Sequence, residues 1–195
     1  RHAGLTKYSQ HLPEADLPPA DCVLVVDQTR GDASLMGAGR ALFLRMLDAA
    51  RAENPGSVIV VRSHPETAAG LRPGHLRPAD LRKGEVFHDA PANPWAMLER
   101  ARRVYAVSSQ LGYEAMLAGH RPRLFGLPFH AGWDLSDDEV SLPREGRGKA
   151  SVEALFTATH LQGPLWFDPC RDRVCDFETA ARQLDAEARA WRQDH

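Results

Sequence analysis

The sequence has few cysteines, no long apolar run and almost no net charge. Its three cysteines among 195 residues are too few for a disulfide framework, and Cys170 and Cys175 lack the second Cys/His pair of a zinc site. No apolar run approaches the ~20 residues of a membrane span, and the first residues lack a signal-peptide core. A net charge of −2 gives no electrostatic reason to expect nucleic acid as a partner. These absences predict a cytoplasmic globular protein that needs no metal and binds no nucleic acid.

Glycine-rich phosphate-binding motifs are also missing. The apolar run from Cys22 to Val26 predicts a strand buried on both faces, and residues 37–52 place apolar side chains at helical spacing. The loop between them, residues 27–34, has one glycine and matches neither the dinucleotide fingerprint nor a P-loop. This pattern excludes NAD binding and nucleoside triphosphate hydrolysis, and it favours a ligand with one phosphate over one with a pyrophosphate.

Strand and helix patterns alternate along the rest of the chain. Further strands are predicted at residues 57–62, 85–88, 104–107 and 123–126, and helices at residues 93–101, 112–119 and 177–191. The alternation predicts an α/β fold, a Rossmann-like parallel sheet with helices on both faces, formed by residues 21–195. The polar, proline-bearing residues 1–20 are interpreted as a linker from a missing preceding domain, which would make this chain a fragment of a longer protein.

Polar side chains follow three of the predicted strands, at the edge where parallel strands end and ligands bind. Pro65 forces His64 into an extended conformation at one strand end, and paired serines follow another strand. Hydroxyls at a helix N-terminus and a histidine suit a phosphate, whereas Glu114, expected in the first helical turn, suits a ribose hydroxyl. The alternatives are an ordinary serine helix cap and a solvated surface histidine. A later loop, residues 127–138, is rich in aromatic residues and either closes over a ligand or covers the edge of the sheet.

Four segments of the chain, residues 26–34, 63–65, 107–115 and 125–133, resemble the capsule polysaccharide biosynthesis proteins of the KpsC type. The resemblance covers roughly residues 21–170, with the motifs in the same order and at similar spacing. It implies transferases of GT-B fold, built from two Rossmann domains, that use CMP-Kdo to build a short β-linked oligomer of Kdo on a lysophospholipid. The His-Pro and paired-serine motifs are similar to those that hold the CMP phosphate in bacterial CMP-sialic acid transferases. This chain departs from the family loop Phe-Tyr-Ala-Gly-Trp-Gly at His130 and Asp134.

The resemblance implies that this chain is the donor-binding half of a retaining β-Kdo glycosyltransferase for capsular polysaccharide. Retention of configuration implies either a covalent enzyme intermediate or front-face attack, and a carboxylate nucleophile is the simpler choice. Asp32 and Asp27 are the candidates in this chain, and the missing half of the module is the alternative source of the catalytic group. The implied partners are the nucleotide-sugar donor, a lipid-linked acceptor, the missing N-terminal GT-B domain and capsule export machinery at the inner membrane, where the protein would be peripheral. No cofactor or metal is expected. The expected donor-binding residues are Gln28, Thr29, His64, Pro65, Ser108, Ser109, Gln110 and Glu114.

Two other functions stay open at this stage. One is a non-catalytic nucleotide-binding module that serves capsule assembly and export as a scaffold. The other is a nucleotide-sugar epimerase of GT-B shape, which selectivity for UMP or UDP over CMP would favour.

Overall fold

A six-stranded parallel sheet forms the centre of the protein in a computed structural model that describes residues 4–6, 16–140 and 148–194. Its strands are β1 (Cys22–Val26), β2 (Ile59–Arg62), β3 (Val86–His88), β4 (Ala101–Ala106), β5 (Arg123–Leu124) and β6 (Asp137–Asp138), in the spatial order β3-β2-β1-β4-β5-β6. The helices are α1 (Arg40–Glu53), α2 (Pro65–Ala68), α3 (Pro94–Arg100), α4 (Gln110–Leu117), α5 (Val152–Phe156), which continues as a π-helix (Thr157–Gln162), and α6 (Phe177–Asp194). An antiparallel hairpin, β7 (Trp166–Asp168) with β8 (Arg173–Cys175), precedes α6.

Helices cover both faces of the sheet, as the uninterrupted apolar run of β1 predicts. Successive residues of a strand point to opposite faces. Leu24 accordingly packs in the core that contains the buried residues of α3 and α4, and Val25 packs with Phe43 and Met46 of α1 on the other face. The α/β class and the parallel sheet with helices on both faces are thus confirmed.

The strand order reverses direction between β1 and β4, which are neighbours in the sheet although two strands separate them in sequence. From β1 the chain moves outward through β2 to β3 and then returns to the other side of β1. In open α/β sheets, ligands bind outside the carboxyl ends of the strands at such a switch point. The fold therefore places the site beyond Val26 and Ala106.

Several boundaries differ from the sequence-based predictions. The helix predicted from near Gly112 begins at Gln110, because the Ser109 side chain accepts a hydrogen bond from Leu111 N at 3.2 Å and caps the helix there. Glu114 is consequently the fifth helical residue, and the prediction that it lies in the first turn is wrong. Strand β4 begins earlier than predicted, at Ala101, because α3 ends directly before it at Arg100. Strand β6 and the β7–β8 hairpin were not predicted, since strands of two or three residues are too short to show a detectable alternation of apolar and polar side chains.

The described parts of the predicted linker lie against the domain. Residues 1–3 and 7–15 fall outside the described residues. The Leu5 carbonyl accepts a hydrogen bond from Trp95 Nε1 at 2.8 Å, and the Pro18 carbonyl accepts one from Arg100 Nε. The division into a linker and a domain stays a prediction. In the three described ranges, no helix has both the length and the apolar character needed to cross a bilayer.

Candidate active site

A cleft of about 740 Å³ lies at the carboxyl ends of β1, β2 and β4, where the topology predicts a ligand site. Of the ten candidate residues, one does not line the cleft. Thr29 is buried beside it, and the Thr29 backbone pairs with that of Gly74. The other candidates all line the cleft: Asp27, Gln28, Asp32, His64, Pro65, Ser108, Ser109, Gln110 and Glu114.

Gln28 connects the ends of β1 and β4 at the floor of the cleft. Its Oε1 accepts a hydrogen bond from Ser108 N at 3.0 Å, and its Nε2 donates to Ser108 Oγ at 3.2 Å. Ser34 Oγ lies 3.0 Å from Ser108 Oγ, so two hydroxyls and an amide share one small cluster. Gln28 is 3% and Ser108 8% exposed, whereas Ser34 is exposed, so burial and mutual hydrogen bonds hold Gln28 and Ser108 in place before a ligand arrives. We call Gln28, Ser34 and Ser108 the hydroxyl cluster.

Asp27 anchors a neighbouring segment of backbone. Its carboxylate accepts hydrogen bonds from His75 N at 3.1 Å and Leu76 N at 3.1 Å. Burial raises the pKa of Asp27 to about 6, although these backbone donors act in the opposite direction. Asp27 is 1% exposed and backbone N–H groups hold its carboxylate in the interior, so burial makes Asp27 a poor nucleophile.

Asp32 has the opposite environment. It is partly exposed and caps a short 3₁₀-helix (Ala33–Leu35) by accepting hydrogen bonds from Ser34 N at 2.9 Å and Ser34 Oγ at 2.8 Å. Partial burial disfavours ionisation, but the hydrogen bonds from Ser34 and Gln28 outweigh it and lower the pKa of Asp32. Asp32 is therefore an ionised carboxylate at the wall of the cleft at neutral pH.

His64 has the extended backbone that Pro65 imposes, with φ −68° and ψ 141°. Pro65 is also the first residue of α2, a short helix that was not predicted, and His64 caps it. His64 Nδ1 accepts a hydrogen bond from Glu66 N at 3.2 Å. Because Nδ1 is an acceptor, a neutral ring carries its proton on Nε2, which makes the histidine a donor at the cleft.

The N-terminus of α4 faces the same cleft. Ser109 and Gln110 are at the helix start, and the first backbone N–H groups of a helix have no intrahelical partner. Glu114 is buried one turn further along, where its Oε1 accepts a hydrogen bond from the Thr6 hydroxyl at 2.8 Å. Partial positive charge at the helix start, two hydroxyls and His64 together favour a bound anion.

Sequence reasoning missed Arg62 and the far wall of the cleft. Arg62 is the last residue of β2 and is buried, donating a hydrogen bond to His88 Nδ1 at 2.9 Å. The far wall includes Tyr113, the partly exposed Phe129 and His160 of the π-helix, whose ring stacks on Tyr113 with centroids 5.6 Å apart. The aromatic composition of residues 127–138 was the only sequence signal, and it points to Phe129.

Within the described ranges, no group of three His, Cys, Asp or Glu side chains could hold a metal ion.

Known proteins similar to this chain act on surface polysaccharides. The sequence profile of the family described as capsule polysaccharide biosynthesis protein matches residues 11–165. The capsule polysaccharide modification protein LipA of Neisseria meningitidis is 34% identical over 179 residues, which cover 85% of this chain and 25% of LipA. The lipopolysaccharide-processing protein LpsZ of Rhizobium meliloti is 33% identical over 190 residues, which cover 94% of this chain and 43% of LpsZ. The chain spans less than half the length of either relative.

Two solved structures have the same fold. The beta Kdo 2,4 transferase of Thermosulfurimonas dismutans KpsC superimposes with a TM-score of 0.87 at 32% identity, covering 94% of this chain and 59% of that chain. The beta Kdo 2,7 transferase of the same KpsC gives a TM-score of 0.70 at 24% identity, covering 87% of this chain and 54% of that chain. The second match supports the fold alone.

Proposed function

This chain belongs to the family of capsule polysaccharide biosynthesis proteins, and we propose that it is the donor-binding half of a GT-B glycosyltransferase. The donor is CMP-Kdo, Kdo is transferred with retention of configuration, and the acceptor is a Kdo-bearing or bare lysophospholipid. The second Rossmann domain supplies the acceptor side of the site. The similarity to a beta Kdo 2,4 transferase at 32% identity supports this reaction class.

The observation that carries the proposal is the hydroxyl cluster beside the α4 N-terminus, in one cleft with His64. It offers one compact set of donors, which suits the single phosphate of CMP. A pyrophosphate would need a glycine-rich cradle, and the loop after β1 has only Gly31 between residues 27 and 34. As the bond from sugar to phosphate breaks, negative charge grows on the phosphate oxygens. Donors already aimed at that position stabilise the transition state more than the ground state.

Asp32 is the proposed nucleophile because it is ionised, partly exposed and at the cleft wall. Its carboxylate oxygen attacks the anomeric carbon of Kdo, and the bond to the CMP phosphate breaks with the electron pair leaving on CMP. An acceptor hydroxyl then attacks the same carbon, loses its proton to solvent or a base, and releases the Asp32 carboxylate. Two inversions give net retention, and neither step needs a metal.

A nucleotide titration tests the proposal. We expect CMP to bind the 195-residue chain without divalent metal and more tightly than UMP, AMP or GMP, with a dissociation constant near 1 mM, about −4 kcal/mol. Amide chemical shifts should change at residues 27–34, 62–66 and 107–115. Shift changes confined to other residues would show that CMP does not bind this cleft. Preference for UMP would favour an epimerase, and CMP binding without turnover in a complete two-domain protein would favour the scaffold function.

A further inference from the structure

Ser34 lies between the proposed nucleophile and the phosphate side of the cleft, and it is not among the ten candidate residues. It is an exposed residue of the short 3₁₀-helix that Asp32 caps, and it lines the cleft. Its Oγ is 2.8 Å from Asp32 Oδ1 and 3.0 Å from Ser108 Oγ. One hydroxyl therefore contacts both the group that attacks the sugar and the group proposed to hold the leaving phosphate.

The directions of these hydrogen bonds follow from the protons available. An ionised carboxylate can only accept, so the Ser34 hydroxyl is the donor in its contact with Asp32. A serine has a single hydroxyl proton, and the contact between Ser34 and Ser108 therefore uses the Ser108 proton. The other acceptor near Ser108 Oγ is Gln28 Oε1, which is farther away at 3.4 Å and already accepts from Ser108 N at 3.0 Å. Before a ligand binds, both hydroxyl protons thus point towards Asp32.

The two oxygens of the Asp32 carboxylate have different surroundings. Oδ1 accepts hydrogen bonds from Ser34 N at 2.9 Å and from Ser34 Oγ at 2.8 Å. Oδ2 accepts one long hydrogen bond within the described part of the chain, from Gln28 Nε2 at 3.4 Å. Oδ2 is therefore the oxygen available for attack, and Oδ1 becomes the carbonyl oxygen of the resulting ester. Because hydrogen bonds to a neutral acceptor are weaker than those to a carboxylate, Ser34 is held less firmly once the ester has formed.

We propose that Ser34 is a positioning residue whose hydroxyl rotates from Asp32 to Ser108 as the glycosyl-enzyme forms. The inference rests on the proposed function, in which Asp32 attacks the sugar and CMP leaves. The bond from Asp32 Oδ2 to the anomeric carbon forms, the bond from this carbon to the phosphate oxygen breaks, and one negative charge passes from Asp32 to CMP. Once Ser34 donates to Ser108 Oγ, the Ser108 proton is released towards the phosphate. The hydrogen bonds follow the charge without transfer of a proton, so the phosphate is stabilised most when its charge grows.

A double-mutant cycle on CMP binding by the 195-residue chain tests the inference, with dissociation constants taken from chemical-shift titrations. Asp32→Asn gives a neutral side chain of the same shape, which matches the charge of the ester and frees the Ser34 hydroxyl. Asp32→Asn should tighten CMP binding about tenfold in the wild-type background but only about twofold in the Ser34→Ala background, a coupling usual for residues in one hydrogen-bond network. Ser34→Thr keeps the hydroxyl and should give the wild-type gain.

The matched control is Ser109→Ala, which removes a hydroxyl of the same cleft that caps α4 by accepting from Leu111 N. This variant can bind CMP differently from the wild type, but the gain from Asp32→Asn should be the same in its background. A smaller gain there would overturn the inference, because the loss of any hydroxyl in the cleft would then have the same effect.

The remaining outcomes separate this inference from the proposed function. Equal gains from Asp32→Asn in the wild-type and Ser34→Ala backgrounds would mean that Asp32 acts on CMP through its charge alone, which overturns the inference and leaves the proposed function intact. Absence of CMP binding at the cleft would refute both. In a complete two-domain transferase, Ser34→Ala should lower kcat about tenfold, less than the loss of a direct donor, with an unchanged KM for CMP-Kdo. Ser34→Thr should restore kcat, and an unchanged kcat in Ser34→Ala would count against the inference.

Discussion

The two ring nitrogens of His64 have separate roles, and one substitution can remove one role while it keeps the other. Nδ1 caps α2 by accepting from Glu66 N, and the proposed contact to the CMP phosphate uses Nε2. Asparagine is a good N-cap residue with an acceptor at the Nδ1 position, but it lacks the distal donor. In a complete two-domain transferase, His64→Asn should lower kcat about 100- to 1,000-fold, the usual loss for one such donor. Thermal unfolding should stay close to that of the wild type.

His64→Ala is the companion variant, because it removes the cap and the donor together. It should lose the same factor in kcat and also about 1 kcal/mol of stability, the typical cost of a lost cap. Near-normal kcat in His64→Asn would show that the histidine is only a helix cap.

His130 should make the free energy of unfolding depend on pH. The residue is 1% exposed without a partner for either nitrogen among the described residues, and burial lowers its pKa to about 4. Between pH 6.5 and 4 the unfolded chain binds a proton that the folded chain does not, so stability falls as pH falls through this window. Asp27, with its pKa raised to about 6, acts in the opposite direction below pH 6.

The contribution of His130 is isolated by comparing His130→Phe with the wild type, since Asp27 is common to both. From pH 7 to pH 4.5 the variant should gain about 2 kcal/mol of unfolding free energy relative to the wild type, as a shift of 2.5 units implies. Urea unfolding at the two pH values measures this. If the difference in unfolding free energy between His130→Phe and the wild type is the same at both pH values, His130 is accessible to protons in the folded state.

At the scale of elements, the loop after β1 is held by a segment that follows α2. Asp27 binds the backbone of residues 75 and 76, and a Cβ on Gly74 would lie 2.3 Å from Asp27 Oδ2. Gly74→Ala should therefore displace the carboxylate and cost about 2 kcal/mol in urea unfolding. Gly148→Ala is the control, because no atom of the described residues lies within 4 Å of its added Cβ. Equal stability of the two variants would mean that this anchor is unimportant.

This anchor also shows what the sequence could not predict. The type of each long element could be predicted from its apolar pattern. The run Cys22–Val26 is continuous because the strand is buried on both faces, and the residues after it switch to helical spacing. The strand-end positions of His64 and Ser108 followed from topology alone. That Asp27 is buried against backbone N–H groups while Asp32 stays partly exposed depends on a contact 48 residues away in sequence, which no local pattern encodes. Similarly, His160 enters the cleft from a π-helix far along the chain.

At the scale of the whole molecule, the prediction is that this chain binds nucleotide but does not transfer sugar. A GT-B site lies between two domains, and the chain corresponds to 59% of the beta Kdo 2,4 transferase it resembles. The assay is Kdo transfer from CMP-Kdo to a β-Kdo lysophospholipid acceptor, with that complete transferase as the positive control. We expect no product from the 195-residue chain above the enzyme-free background, while CMP still shifts the signals of Ser108 and His64. Transfer by this chain alone would show that it contains both halves of the site. Fusion to the second Rossmann domain that the proposed function requires should restore transfer. Asp32→Asn in the fusion should abolish turnover without weakening CMP binding, because a nucleophile is needed for the chemistry and not for nucleotide affinity.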